Sequence, residues 1–261
     1  MKLAISGAAG RMGQAVVRLA LAAGNVTLVG AVEGRGSARL GADLGETAGV
    51  GALGVAIGDD PAAALLGAEV LVDFSTPAAL PALLRAAMQA GVPVVCGTTG
   101  LDQAAHAALD RAAERIAVLS APNMSIGVQV LRQLLEQAVR TLGPGYDIEI
   151  VETHHGAKVD APSGTALELV GAVRAVRPEL ELVHGRQGRT GPRSEGQIGV
   201  HAVRGGGVVG DHQIHLLGAL ERLELSHRAI HRDVFAAGAL RAARYLVGKP
   251  PGRYCLRDVI G

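Results

Sequence analysis

Leu3-Ala4-Ile5-Ser6-Gly7-Ala8-Ala9-Gly10-Arg11-Met12-Gly13 begins as a short apolar run and breaks into glycine. It then passes into Gln14 to Ala22, where apolar residues recur at helical spacing until Gly24. That order is strand, glycine turn, helix. The spacing G-x-x-G-x-x-G is a variant of the dinucleotide fingerprint, in which a turn of bare backbone lets a pyrophosphate approach the N–H groups that open a helix. A glycine turn alone is a weak signal, and its surroundings strengthen it. Val26 to Val32 reads as a second strand, and Glu33 stands at its end, twenty residues beyond Gly13. An acidic side chain there bonds the adenosine ribose hydroxyls; a solvated strand-end carboxylate is the plainer reading. Arg35 offers a charge to a 2′-phosphate, so NADH and NADPH both stay open.

Beyond this unit, Gly36 to Gly58 is rich in glycine and alanine and reads as a loop region. Pro61 to Leu66 gives a short helix, and the strand Val70 to Phe74 ends in Ser75-Thr76-Pro77. A helix over 78–90 leads to the strand Pro93 to Cys96 and to Gly97-Thr98-Thr99-Gly100. A helix over 102–115 leads to the strand Ile116 to Leu119 and to Ser120-Ala121-Pro122-Asn123-Met124. Alternating strands and helices build an open parallel sheet whose ligands bind at the carboxyl ends of the strands. The three turns therefore belong on the rim that holds Gly7 to Gly13, although such turns also serve simply as connectors. Cys96 reads as a small core residue.

From Tyr146 the pattern changes, after a helix over 125–142 stopped by Gly143-Pro144-Gly145. Asp147 to Thr153 alternates like a half-buried strand. Ile198 to Val203, Asp211 to Leu217 and Arg222 to His227 follow as strands without helices between them. This is a mixed or antiparallel sheet in a second domain, and its period-two faces predict oligomerisation through the sheet. Gly188 to Arg193 reads as a mobile loop, 232–247 as the last helix, and Tyr254 to Ile260 as a closing segment that packs back on the first domain. The fold class is α/β: an N-terminal Rossmann-type parallel sheet (1–125 plus 232–261) with a second α+β domain containing a mixed sheet (126–231).

Chemistry concentrates in Val151-Glu152-Thr153-His154-His155-Gly156-Ala157-Lys158-Val159-Asp160-Ala161-Pro162-Ser163-Gly164-Thr165-Ala166. Two imidazoles titrate near neutral pH, and Lys158 supplies a positive charge or, if desolvated, a proton. That suits an anionic substrate that must gain a proton. A helix follows, for which Thr165 and Glu168 match a capping box, so Ser163, Gly164 and Thr165 sit at a helix start, where free N–H groups attract a carboxylate. Each side chain also has a structural reading: a core histidine beside a solvated one, a surface lysine, a plain cap. Metal binding is not expected, because adjacent strand residues point to opposite faces and no further ligand stands at suitable spacing.

Composition sets the bounds. With 261 residues, 49% of them apolar and 37 glycines, the chain is globular with many tight turns. A formal charge of +1, scattered basic residues and 2% aromatics argue against a nucleic-acid partner. Cys96 and Cys255 are too few and too far apart for a disulfide framework. No targeting signal and no apolar run near ~18 residues is present, so the expectation is a cytoplasmic protein without a membrane partner.

Gly7 to Gly13, Gly97 to Gly100, Ala121 to Val128 and above all Glu152 to Ala166 resemble the 4-hydroxy-tetrahydrodipicolinate (dihydrodipicolinate) reductase family of lysine and diaminopimelate biosynthesis. The likeness runs end to end, including Arg204-Gly205-Gly206 and the segment from Tyr254 to Gly261. It implies a two-domain homotetramer that uses NADH or NADPH on an anionic cyclic dicarboxylate. It implies His154 as the acid/base residue, Lys158 as proton donor, His155 as a substrate contact, and Gly164 and Thr165 as a carboxylate cradle. It places Gly7, Ala8, Ala9, Gly10, Arg11, Met12, Glu33, Gly97, Thr98, Thr99, Ala121, Pro122, Asn123 and Met124 around the cofactor. Many members carry Arg directly after the acidic residue, where this chain has Gly34. Two readings compete: another two-domain nicotinamide enzyme, such as an amino-acid or semialdehyde dehydrogenase, and a non-catalytic nucleotide sensor with no use for the His154, His155 and Lys158 group.

Overall fold

A computed structural model describes residues 1–261. Its elements in chain order are β1 (Lys2–Ser6), α1 (Arg11–Ala22), β2 (Thr27–Val32), α2 (Leu44–Ala48), β3 (Ile57–Gly58), α3 (Pro61–Ala64), β4 (Val70–Asp73), α4 (Leu80–Ala90), β5 (Val94–Cys96), α5 (Gln103–Ala113) and β6 (Ala117–Ser120). They continue with α6 (Ile126–Leu142), β7 (Asp147–His154), α7 (Gly164–Arg174), β8 (Glu181–His184), β9 (Gln197–Arg204), β10 (Gly210–Leu217), β11 (Arg222–Ala229), α8 (Asp233–Leu246), β12 (Gly252–Tyr254) and α9 (Leu256–Ile260). The chain divides into two compact units, Met1–Ile126 with Asp233–Gly261, and Gly127–Arg232.

In the first unit seven strands form one sheet in the order β12-β6-β5-β4-β1-β2-β3, and every neighbouring pair is parallel. Both faces are covered, which is why the strands read as unbroken apolar runs. Leu3, Ile5, Val70, Val72, Val95 and Leu119 point into a core shared with α1 and α8. Ala4, Leu71, Val94, Cys96 and Val118 point the other way, onto α4 and α5. The strand order reverses between β1 and β4, the switch point at which such sheets bind ligands. The segment from Tyr254 does more than pack back: Gly252–Tyr254 adds a parallel strand beside β6, and Leu256–Ile260 forms a helix after α8.

The second unit is a five-stranded sheet in the order β11-β10-β7-β9-β8. It is mixed: β7 and β8 each run parallel to β9, while β10 is antiparallel to β7 and β11. One face packs Ile148, Ile150, Ile198, Val200, Ile214 and Leu216 against α6 and α7. The other face is polar where the period-two pattern suggested apolar. Glu149 there accepts hydrogen bonds from Arg186 and Arg193 and pairs with His201. Burial alone would raise Glu149, but these donors hold it down to about 2. The expected mobile loop thus ends in a clamped residue, since Arg193 also reaches Asp147 and the Gln197 carbonyl.

Two short elements interrupt the expected loop over 36–58. Asp43 organises them by accepting from the backbone N–H groups of Gly45, Glu46, Leu53 and Gly54. A five-residue helix is too short to leave a periodic trace in the sequence.

Candidate active site

The nucleotide end of the first unit is built from strand termini. Gly7 leaves β1 at φ +69, and a Cβ on it would overlap the Phe74 carbonyl; one on Gly13 would overlap the Gly7 carbonyl. Only glycine lets the turn fold this tightly. Gly10 then opens α1 with no side-chain cap, which leaves the first N–H groups of a twelve-residue helix to an external anion. Glu33 Oε1 accepts from Ala9 N at 2.8 Å and Oε2 from Gly34 N at 3.3 Å, joining the end of β2 to the turn. These features fit a dinucleotide: the bare turn would admit a pyrophosphate, and the carboxylate at the end of β2 would meet ribose hydroxyls. Arg35 is 92% exposed and lies 3.7 Å from Asp59.

The remaining rim residues follow at the ends of β4, β5 and β6. Asp73, fully buried, accepts from Thr98 Oγ1 at 2.8 Å and Ser75 N at 3.0 Å, which ties the Gly97-Thr98-Thr99 turn to the end of β4. Cys96 beside it has its thiol pushed up to about 12 by burial and by Asp73, so it is no nucleophile at neutral pH. Ala121 N donates to the Cys96 carbonyl, Asn123 Oδ1 accepts from Ser125 N, and Met124 is buried in the core. Gly7 to Met12, Glu33, Gly97 to Thr99 and Ala121 to Met124 all therefore lie at the carboxyl edge of one parallel sheet.

In the second unit β7 delivers His154. The strand's alternation puts Glu152 and His154 on the covered face, and both are buried. His154 Nδ1 is 2.5 Å from Glu152 Oε2. Burial lowers the pKa of His154, against the pull of Glu152, and Lys158 and Arg204 lower it further. The chain after β7 is pinned by Gly205 N to the His154 carbonyl and by His155 N to the Val208 carbonyl. His155 Nε2 faces Arg232 Nη2 at 3.2 Å, and Lys158 Nζ lies 2.8 Å from Asp160 Oδ1.

The helix start departs from expectation in its cap. Ser163, not Thr165, is the N-cap, and its Oγ accepts from Ala166 N at 3.1 Å. Thr165 is the second helical residue, and Glu168, which the capping box required, has its pKa raised by burial. Gly164 is exposed, with no atom within 4 Å of where its Cβ would lie, so the helix start is open to an anion.

Three side chains without an assigned role complete this group. Arg204 forks onto Glu152 with bonds of 2.8 and 2.7 Å. His212 stands opposite Glu152 in the β10–β7 pairing, lies edge-on to His154 with centroids 5.3 Å apart, and meets Ser163 Oγ at 3.3 Å. Burial brings it down to about 4. Glu152 itself was visible in the sequence as the residue two before His154 on a strand; Arg204 and His212 depend on strand register. No group of three His, Cys, Asp or Glu side chains is arranged to hold a metal ion.

Residues 1–124 match the family described as dihydrodipicolinate reductase, N-terminus, and residues 127–260 match dihydrodipicolinate reductase, C-terminus. The chain belongs to the dihydrodipicolinate reductase family. It is 49% identical over 263 aligned positions to the 4-hydroxy-tetrahydrodipicolinate reductase of Alkalilimnicola ehrlichii, covering 100% of this chain and 98% of that one. It is 50% identical over 264 positions to the enzyme of the same name from Thiobacillus denitrificans, with the same coverage. A solved dipicolinate-bound dihydrodipicolinate reductase from Paenisporosarcina sp. TG-14 superposes with a TM-score of 0.78 at 25% identity, covering 98% of this chain and 97% of that one. An amine dehydrogenase from Mycobacterium smegmatis, 16% identical with a TM-score of 0.65 and covering 98% and 95%, shares the fold. Membership of a reductase family and a dinucleotide-binding first unit make this chain an oxidoreductase that uses a nicotinamide dinucleotide, and no helix is long and apolar enough to cross a membrane.

Proposed function

We propose that this chain reduces 4-hydroxy-tetrahydrodipicolinate, after or with loss of water, to tetrahydrodipicolinate in lysine and diaminopimelate biosynthesis. The observation that carries the reading is the grouping, within one unit, of a buried imidazole held by a carboxylate, a cation on the following loop, and an open helix start. An enzyme that must hold carboxylates and deliver a proton needs those three things.

In this reading the first unit binds the dinucleotide through Gly7 to Met12, Glu33, Gly97 to Thr99 and Ala121 to Met124, and a bound reduced nicotinamide supplies the hydride. The second unit binds substrate and builds the oligomer, a cytoplasmic homotetramer. Gly164 and Thr165 cradle one carboxylate at the start of α7, and His155 contacts the substrate. Lys158 neutralises a carboxylate and provides the proton, while His154 acts in acid/base exchange. Hydride addition to the conjugated imine leaves an electron pair on carbon or nitrogen, and that proton completes the reduction.

Glu33 disfavours a 2′-phosphate by charge, and Gly34 offers no cation. Arg35 faces Asp59. NADH should therefore serve at least as well as NADPH. Oxidation of each nucleotide, followed with enzymatically generated 4-hydroxy-tetrahydrodipicolinate, tests both statements. Turnover with kcat/KM for NADH equal to or above that for NADPH supports them, and nucleotide binding without any turnover would favour the sensor reading.

A further inference from the structure

Glu152 is fully buried and its acceptor sites are filled. Oε2 accepts from His154 Nδ1 at 2.5 Å and Arg204 Nη1 at 2.8 Å; Oε1 accepts from Ser163 N at 3.0 Å and Arg204 Nη2 at 2.7 Å. Arg204 is itself anchored by the Asp160 carbonyl at 2.7 Å. A carboxylate with four donors, two of them on a guanidinium, stays ionised and can only accept. His154 Nδ1 must then carry its hydrogen, and Nε2 is the atom that gains or loses the exchangeable proton. Nε2 faces Gly210, where a Cβ would stand 3.0 Å away, so a side chain at that position would crowd the exchanging edge.

The same carboxylate poses a problem of charge. Alone beside an imidazole it would favour the imidazolium and hold the proton that the residue must exchange. His154 is faced by Glu152 on β7, Arg204 on β9, His212 on β10 and Lys158 with Asp160 on the loop; His227 on β11 lies behind His212. Ser163 Oγ accepts from Ala166 N and meets His212 Nε2 at 3.3 Å, and burial keeps His212 neutral at pH 7. Of the charged groups, Arg204 alone grips both oxygens of Glu152.

We propose that Arg204 is a positioning residue for His154: by cancelling the charge of Glu152, it lets that carboxylate fix the tautomer of His154 without locking it as an imidazolium. The inference rests on the acid/base reading of His154 and assigns that site a control that sequence position alone does not show.

Nitrogen-15 NMR of histidine-labelled full-length protein tests it, with the His154 signals assigned by difference from His154→Gln. In the wild-type protein at pH 7 the expected state is Nδ1 protonated and Nε2 bare. Arg204→Gln should raise the titration midpoint of His154 by about one pH unit or more. Glu152→Gln should lower it, and Arg204→Lys, which keeps the charge and loses the fork, should leave it nearer wild type than Arg204→Gln does. An Nε2-protonated wild-type tautomer, or a midpoint that Arg204→Gln leaves in place or lowers, overturns the proposal. If Arg204→Gln does not fold, the wild-type tautomer and the Arg204→Lys midpoint decide it: the expected tautomer with a midpoint raised by a fraction of a pH unit supports it, and the other tautomer, or a midpoint left in place or lowered, contradicts it. None of these readings uses turnover. A catalytically dispensable His154 would therefore sink the acid/base reading separately.

Discussion

Lys158 reaches Asp160, a side chain about half exposed at 53%, and that pair is one a substrate can open. Exposed ion pairs are worth only about 0–1 kcal/mol, so a carboxylate brought to the loop can take over Lys158 at little cost. Lys158→Met is expected to raise KM for the dicarboxylate and to lower kcat, because a charge contact and a proton are both removed. Nucleotide affinity should stay unchanged. Steady-state kinetics beside a nucleotide titration checks this, and a change in kcat alone would leave Lys158 without a binding role. At this scale the identities His154, His155 and Lys158 were legible because imidazole and ammonium groups have little structural reason to cluster. The partners of His154 were less so. Glu152 follows from strand alternation, whereas Arg204 stands opposite His154 only through the β7–β9 register, a pairing across fifty residues that no local pattern encodes.

At the start of α7, Ser163 serves two hydrogen bonds with one hydroxyl, capping the helix and holding His212. Ser163→Ala should cost about 1 kcal/mol for the cap and leave a buried imidazole nitrogen unpaired. His212 also gives the second unit a pH dependence whose sign is fixed. Its folded value is about 4, below the ordinary 6.5. The unfolded chain therefore takes up the proton first, and stability is full above 6.5 and declines as pH falls toward 4. The shift is worth up to about 3 kcal/mol. Thermal melts between pH 7 and 4 should show a shallower slope for His212→Gln; because burial lowers His154 and His227 as well, part of the slope remains. An unchanged slope would mean that His212 does not titrate in that window. The helix itself was legible and its cap was misplaced: Ser163 and Thr165 are both good capping types, and the Glu168 spacing favoured the wrong one.

Across the whole chain, the doubly wound sheet was readable because each of its central strands is a short apolar run ending in a polar or glycine turn, with a helix between. The mixed sheet was readable from three alternating strands in succession, but β8 and β3 were not: four and two residues at sheet edges carry no period. The open face of the second sheet also resisted reading, since an alternation of His, Glu and Arg with apolar residues looks the same whether the outward set faces water or a partner. The proposed function divides the work by unit, with the nucleotide on the first and proton exchange on the second. Replacing His154 by Gln separates the two most directly, with kcat for 4-hydroxy-tetrahydrodipicolinate reduction and the nucleotide dissociation constant measured on the same preparation. The expected result is a fall in kcat of roughly 10²–10⁴-fold with the dissociation constant unchanged; equal losses in both, or turnover near wild type, would overturn this division of roles.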